Sequence, residues 1–468
     1  MQNGKWGYAP HLRVAKPLVV ISLELKRLTI NMKLKPILIF DNISPNSNIL
    51  VYTGKGSIIF KDEEEYKIDK ISIEFSWQPK FGLIFEFSTN ENVDNIQSRL
   101  IASDVIVQLK TPNHTISNAI IMRVGMEVKP NKKRIIARGA ISGRVITGDH
   151  SVTGSRIEMA IPNLRFLPGG DKYKTNKNNK FESGLINIEA KRFTIELWPT
   201  TNIKEKFSLL DILGGYGITY TCTIKPKSNQ ITKDDAINIV SILGDFLSFI
   251  AGHKIHPLFT TSLHEKDILW QDWTNYINSK YIETRSWCDE FNMSGLSTLF
   301  DKFYDISKNN REDYKVIKTA IRWYCESNID FIQYERSIMM IQATLELLYN
   351  YYVKEKMKII PIKDSSNITA SSKLRILFSQ VPRLRNRFFE ECEEMHNFLK
   401  SKSSEDDVID LFVYIRNAIV HGDSVKRANF GMIDMKVVNE SIDLGLYLIE
   451  ITLLHILDYS GHYSDRLI

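Results

Sequence analysis

The sequence predicts an α+β multidomain protein, a sheet-rich region of sandwich or barrel-like architecture followed by an all-α helical bundle. Three observations predict it. The chain has 468 residues, more than one hydrophobic core usually serves, so two or three domains are expected. Its first half is written in short β-branched and aromatic runs punctuated by Gly, Asn, Asp and Pro. Beyond residue 294, apolar residues recur almost everywhere at helical spacing. With 43% hydrophobic and 25% charged residues, the composition excludes collagen-like, low-complexity and wholly disordered classes.

Residues 1–31 read as an N-terminal extension. Met32 opens a strand pattern at Lys35-Pro36-Ile37-Leu38-Ile39-Phe40, which leaves Met1 and Met32 both open as the start of translation. Strands follow at Ser57-Ile58-Ile59-Phe60, Lys70 to Phe75, Gly82 to Phe87, Leu185 to Ala190 and Gly217 to Ile224, several alternating apolar and polar as an antiparallel strand with one wet face does. Pro168-Gly169-Gly170 with Lys172, Lys174, Lys177 and Lys180 is too polar to pack and reads as a mobile, solvated hairpin connection.

At Thr232-x-x-Asp235 the period changes. A capping box there precedes Ala236, Ile239, Val240, Leu243, Phe246, Leu247 and Ile250, and Gly252 ends the helix. A mixed stretch with Trp270, Trp273 and Trp287 is expected to pack between the two halves. Helices are then expected near 294–308, 312–328, 329–357, 371–381, 386–401, 405–421 and 435–459, the last apolar enough to be a central core helix. The expected divisions are therefore 1–31 as extension, 32–230 as a sheet-rich sensor or binding domain, 231–293 as a mixed connecting segment and 294–468 as the helical domain.

Charge and cysteine usage narrow the setting. Residues 291–468 carry 23 basic and 25 acidic side chains, net −2, so the remaining 38 against 30, net +8, lie in 1–290 and make up the whole-chain +6. Cys222, Cys288, Cys325 and Cys392 are far apart with no C-x-x-C pair, which argues against a disulfide scaffold or a zinc ribbon and for a reducing cytoplasm. No stretch approaches the roughly 20 uncharged residues of a membrane span, so neither export nor a membrane partner is expected.

The residues that stand out chemically are Arg416-Asn417-Ala418-Ile419-Val420-His421, late in a helix whose core face is Val408, Leu411, Phe412, Ile415 and Ile419. Gly422 follows as a C-terminal cap would. His421 thus falls where the negative helix end favours the imidazolium and where a substrate can reach it. Arg416 is five positions back, about 140° around the helix, so a long arginine arm or a second copy across a dimer must close the gap. An imidazole beside a guanidinium suits phosphodiester cleavage, the first moving a proton and the second holding phosphate oxygens. The bland alternative is a helix-capping histidine with a surface arginine.

Arg416-Asn417-x-x-x-His421 fits the Arg-polar-x-x-x-His signature of HEPN ribonucleases, and the surrounding helices, with Tyr334-Glu335-Arg336-Ser337 opening a long one, resemble the HEPN domain of Apea-type proteins over about 295–468. The resemblance implies a helical bundle that dimerises with two such motifs facing each other, a metal-independent endoribonuclease needing no cofactor. It also implies a phage-defence, abortive-infection effector that cuts tRNA or other cellular RNA. By position, Arg416 and His421 would be catalytic and Asn417 would orient the phosphate. Spacing alone is weak: 21 Arg and 10 His predict about 1.3 chance matches to Arg-x(4–6)-His. A second match, Arg144 to His150, lies in Gly-rich sheet text with Val145 where the polar residue belongs.

Weaker candidates remain. Lys373, Arg375, Arg383, Arg385 and Arg387 are the basic concentration of the helical domain and read either as an RNA-tracking rim or as a solvated helix end balancing Glu390, Glu391, Glu393 and Glu394. His253, His256, His264 and Asp267 imitate a metal set without helical spacing. Tyr349, Tyr351, Tyr352 and Met339-Met340 read as bundle core or dimer seam. The expectation is a sheet-rich sensor restraining an RNA-cutting homodimer until a phage protein triggers it. The alternative is a non-catalytic dimeric scaffold that binds a partner or ligand through its sheets.

Overall fold

A computed structural model describes residues 33–36, 38–100, 105–112, 115–130, 132–175, 180–329, 333–360, 367–385, 387–420, 428 and 430–468. The N-terminal extension and Ile37 lie outside them; the strand expected over Lys35 to Phe40 does not form among the described residues, where Leu34 makes an isolated bridge to Lys174 and Ile39-Phe40 enter a turn.

The sheet-rich region is two sheets. The first is a closed antiparallel barrel in the order β1-β2-β3-β6-β5-β4, from β1 (Ile49–Ile59), β2 (Glu65–Ser76), β3 (Gly82–Thr89), β4 (Ile106–Lys110), β5 (Thr115–Lys129) and β6 (Lys132–Ile141). Alternation on β2 sends Ile71, Ile73 and Phe75 inward, each 0% exposed, to meet Phe85 and Phe87 of β3. Closure needs a glycine where strands crowd: a Cβ on Gly139 would collide with the Ile120 carbonyl and the Phe85 ring. Helix α1 (Val93–Leu100) turns Val93, Ile96 and Leu100 into the same core.

The second sheet has eight antiparallel strands in the order β7-β14-β13-β8-β12-β11-β10-β9: β7 (Ile146–Gly148), β8 (Arg156–Pro162), β9 (Asp171–Lys174), β10 (Phe181–Glu189), β11 (Phe193–Pro199), β12 (Ile218–Pro226), β13 (Leu258–His264) and β14 (Asp267–Asp272). β9 and β10 form the hairpin read from the lysine-rich stretch, whose tip at 176–179 lies outside the described residues. Helix α2 (Ile203–Leu213) joins β11 to β12, and α3 (Lys233–Ala251) joins β12 to β13. The Thr232 hydroxyl accepts from the Asp235 amide at 3.2 Å, and Gly252 closes α3 at φ 75°. The segment read as a connector thus supplies two strands of this sheet and the helix that covers it.

Helices α4 (Leu296–Asn309), α5 (Arg311–Ser327), α6 (Tyr334–Leu348), α7 (Ala370–Ser379), α8 (Glu393–Ser401), α9 (Val408–Val420) and α10 (Met435–Ile456) build the bundle, with α6 running on as a π-helix, Tyr349–Lys356. The helix expected over 386–401 begins only at Glu393, because the preceding residues turn around Phe389, held at φ 52°. On α10, Val438, Ile442, Leu446, Ile449 and Leu453 are all 0% exposed. One continuous core runs from Ile157 and Ile195 of the sheet through Leu243 and Phe246 of α3 to Ile321 of α5 and Ile449 of α10. Sheet and bundle therefore share an interior, while the barrel keeps its own and meets the sheet through Leu258, Phe259 and Ile218. The chain is α+β with a sheet-rich first part and a helical second part. Among the described residues, no helix is long and apolar enough to cross a membrane.

Candidate functional site

Helix α9 starts on Asp407, whose carboxylate accepts from the Ile409 and Asp410 amides at 2.9 and 3.0 Å. Val408, Leu411, Phe412, Ile415 and Ala418 are buried in the bundle, so the helical period leaves Tyr414, Arg416 and Asn417 toward the outside. Arg416 and Asn417 are half-buried in the last turn, and Arg416 Nη1 donates to Asn417 Oδ1 at 2.7 Å. The guanidinium has no carboxylate partner among the described residues; its partner is a neutral amide oxygen. His421 and the expected cap Gly422 lie outside the described residues. The chain resumes before Asp434, whose side chain caps α10 at the Lys436 amide, 2.9 Å away.

The five basic residues read as an RNA rim or as a balanced helix end are placed as follows. Lys373 faces Glu346 at 3.4 Å, and Arg375 bridges Asp407 at 2.9 Å and Asp410 at 2.6 Å. Arg387 pairs with Glu391 at 2.6 Å and lies over the Tyr447 ring, its carbon 4.6 Å from the centroid. Arg383 and Arg385 donate to the Gly461 and Ser379 carbonyls at 3.4 and 3.0 Å. Three of the five charges are thus balanced by carboxylates, mostly from distant parts of the chain, and only Glu391 comes from the acidic group that the sequence suggested.

The histidine set does not converge. His253 is sealed in, its Nδ1 3.1 Å from the Thr284 hydroxyl and its Nε2 3.2 Å from the Asn163 carbonyl. His256 stacks on Tyr276 with ring centroids 4.0 Å apart. Burial pushes both imidazoles down to about 4, whereas His264 and Asp267 pair beside the turn of the β13–β14 hairpin. Among the described residues, no three His, Cys, Asp or Glu side chains are grouped to hold a metal ion. Arg144, from the second Arg-to-His match, faces Asp272 at 3.4 Å. Tyr349 and Tyr351 are buried in the bundle, and the Tyr352 hydroxyl lies 2.9 Å from His455 Nε2.

Two features were not singled out in the sequence. The first is a buried lock near the C-terminus: Arg466 Nη2 donates to Glu450 at 2.7 Å and to the Arg285 carbonyl at 2.9 Å, and Tyr324 and Tyr463 donate to the same carboxylate at 2.6 and 2.8 Å. The second is a cleft of about 270 Å³ between α3 and α5, walled by Asp245, Lys254, Lys315, Lys318 and Arg322 over Cys325. Burial pushes the Cys325 thiol up, toward its protonated form. The i, i+3, i+7 spacing of Lys315, Lys318 and Arg322 was the available signal; Lys254 and Asp245 reach them only through the fold.

An antiparallel barrel and sheet carrying a helical bundle, with a charged turn at the end of one bundle helix, is the class of protein defined so far. Residues 149–284 match the model of the YopA central domain, and residues 310–468 match that of the YopA C-terminal domain. The first span takes in the eight-stranded sheet from β8 to β14, the second the bundle from α5 onward, and the barrel falls outside both. The chain is also similar to the SPbeta prophage-derived uncharacterized protein YopA of Bacillus subtilis (strain 168), 24% identical over 437 residues that cover 90% of this chain and 92% of that one. No solved structure matches.

Proposed function

We propose that the helical domain is a metal-independent endoribonuclease of the HEPN type, working in the cytoplasm as a homodimer, with the sheet-rich part as its sensor. The observation that carries this reading is Arg416, half-buried at the end of α9, whose guanidinium meets the amide oxygen of Asn417 and no carboxylate among the described residues. A guanidinium kept from carboxylates can take phosphate oxygens through paired hydrogen bonds. In the proposed reaction, the His421 imidazole removes the proton of a ribose 2′-hydroxyl, and the 2′-oxygen attacks the adjacent phosphorus. The bond to the 5′-oxygen breaks, that oxygen takes the proton back from the His421 imidazolium, and the products are a 2′,3′-cyclic phosphate and a 5′-hydroxyl. Arg416 holds the two non-bridging oxygens as charge builds on them.

Tyr414 and Met432, exposed at 39% and 67%, line one groove beside α9. Apolar surface there suits a second copy bringing its own motif. The prophage origin of the similar protein suits an effector that destroys cellular RNA, tRNA among it, when a phage protein triggers it. Expression of the wild type beside His421→Ala in a bacterium, with and without phage, tests this by sequencing RNA 5′ ends. New 5′-hydroxyl ends are expected only in infected wild-type cells. The same ends in the His421→Ala strain would leave the non-catalytic scaffold as the better reading.

A further inference from the structure

We infer that the cleft between α3 and α5 binds a small oligophosphate anion, a free diphosphate or the phosphates of a nucleotide. Lys315, Lys318 and Arg322 lie on one face of α5, within about 60° of each other at 100° per residue, and Lys254 faces them from the loop after α3. Asp245 is the carboxylate of this wall, 4% exposed, and it is shared: Lys318 stands 2.8 Å and Lys254 3.6 Å from it, and Tyr314 donates to it at 2.9 Å. Glu312 takes Lys315 at 2.7 Å. Four cations thus meet two carboxylates, which leaves a surplus of two positive charges.

Arg322 is exposed and has no partner among the described residues. Its planar fork suits bidentate capture of a phosphate, and the lysines add point charges around it. A volume of about 270 Å³ falls just below the range typical of drug-sized ligands, roughly 300–1,000 Å³. It fits phosphates with any nucleoside left at the mouth. A nucleic-acid backbone needs cations strung along a surface, whereas here they converge on one recess. The walls come from α3 in the 149–284 match and α5 in the 310–468 match, so a bound anion bridges sheet and bundle.

The inference does not rest on the nuclease reading, and His421→Ala should leave binding unchanged. The full-length chain is titrated with inorganic pyrophosphate, ATP and a short oligoribonucleotide by calorimetry and thermal denaturation, beside Arg322→Ala and Lys315→Ala. Lys266→Ala, at the exposed β13–β14 turn, is the control, and circular dichroism checks that each variant folds. Saturable pyrophosphate binding with a raised melting temperature is expected, weakened at least tenfold in Arg322→Ala and unchanged in Lys266→Ala. Tighter binding of ATP than of pyrophosphate would assign the recess to nucleotides, and equal binding to bare phosphates. Absence of saturable binding of both at millimolar concentration, equal affinity in wild type and Arg322→Ala, or binding of the oligoribonucleotide alone would overturn the inference.

Discussion

Two arginines at different places in the bundle show how one side chain serves opposite ends. Arg466 has 1% of its side chain exposed and faces Glu450, at 0%, with two tyrosine hydroxyls on the same carboxylate. Arg416 is half-buried at the end of α9 and meets a neutral oxygen. The first charge is spent inside the fold, and burial in that company holds the Tyr463 hydroxyl far above its ordinary value. The second meets no carboxylate among the described residues. Partner count, more than residue type, separates a charge that builds the molecule from one that can act on another.

Breaking the buried member should have the largest effect. Arg466→Ala strands Glu450 without a cation in the core, and a loss of about 3–5 kcal/mol is expected, measured by urea denaturation. A loss below about 1 kcal/mol would mean that water reaches Glu450. Arg416→Ala, by contrast, removes no ion pair present among the described residues and should change stability by about 0.5 kcal/mol or less. A large destabilisation would make Arg416 a second structural arginine and erase the contrast.

An intermediate effect is expected from each buried histidine taken singly. With folded-state values near 4 against about 6.5 unfolded, His253 and His256 stay neutral in the fold while the unfolded chain takes up protons below pH 6.5. Stability therefore falls as pH drops from about 6.5 to about 4, by up to about 1.4 kcal/mol per pH unit for each histidine. Their contribution levels off below that. His253→Gln should remove one histidine's share of the slope; an unchanged slope would place the titration elsewhere. A small effect is also assigned to Arg375→Ala, whose pairs with Asp407 and Asp410 are largely exposed and worth about 0.2–1 kcal/mol by double-mutant cycle.

The parts of this molecule that were legible in sequence are those set by near neighbours. Thr232 and Gly252 mark the ends of α3 because a cap hydrogen bond and a left-handed turn involve residues three or four apart. The alternation of β2 shows its inward face for the same reason. What the sequence did not disclose is long-range. The pairing of β13 with β8 joins residues about a hundred apart, Leu258 with Ala160, and it turns an apparent connector into part of a second sheet. The partners of Arg375 lie over thirty residues away, so the sequence leaves open whether the basic run is free or balanced, and three of its members are paired. The candidate motif was visible because Arg416, Asn417 and His421 fall within six residues. The α3–α5 cleft and the Arg466 lock were not, since their members are brought together only by the shared core of sheet and bundle.

Cleavage of a short oligoribonucleotide by protein purified from phage-infected cells, in excess chelator, tests the role of the Arg416 guanidinium most directly. Arg416→Ala, at unchanged melting temperature, should cut about 10²–10³-fold more slowly than the wild type. The wild-type product should end in a 2′,3′-cyclic phosphate. Cutting at the wild-type rate by Arg416→Ala, or no cutting by either protein in the presence of its trigger, would contradict it.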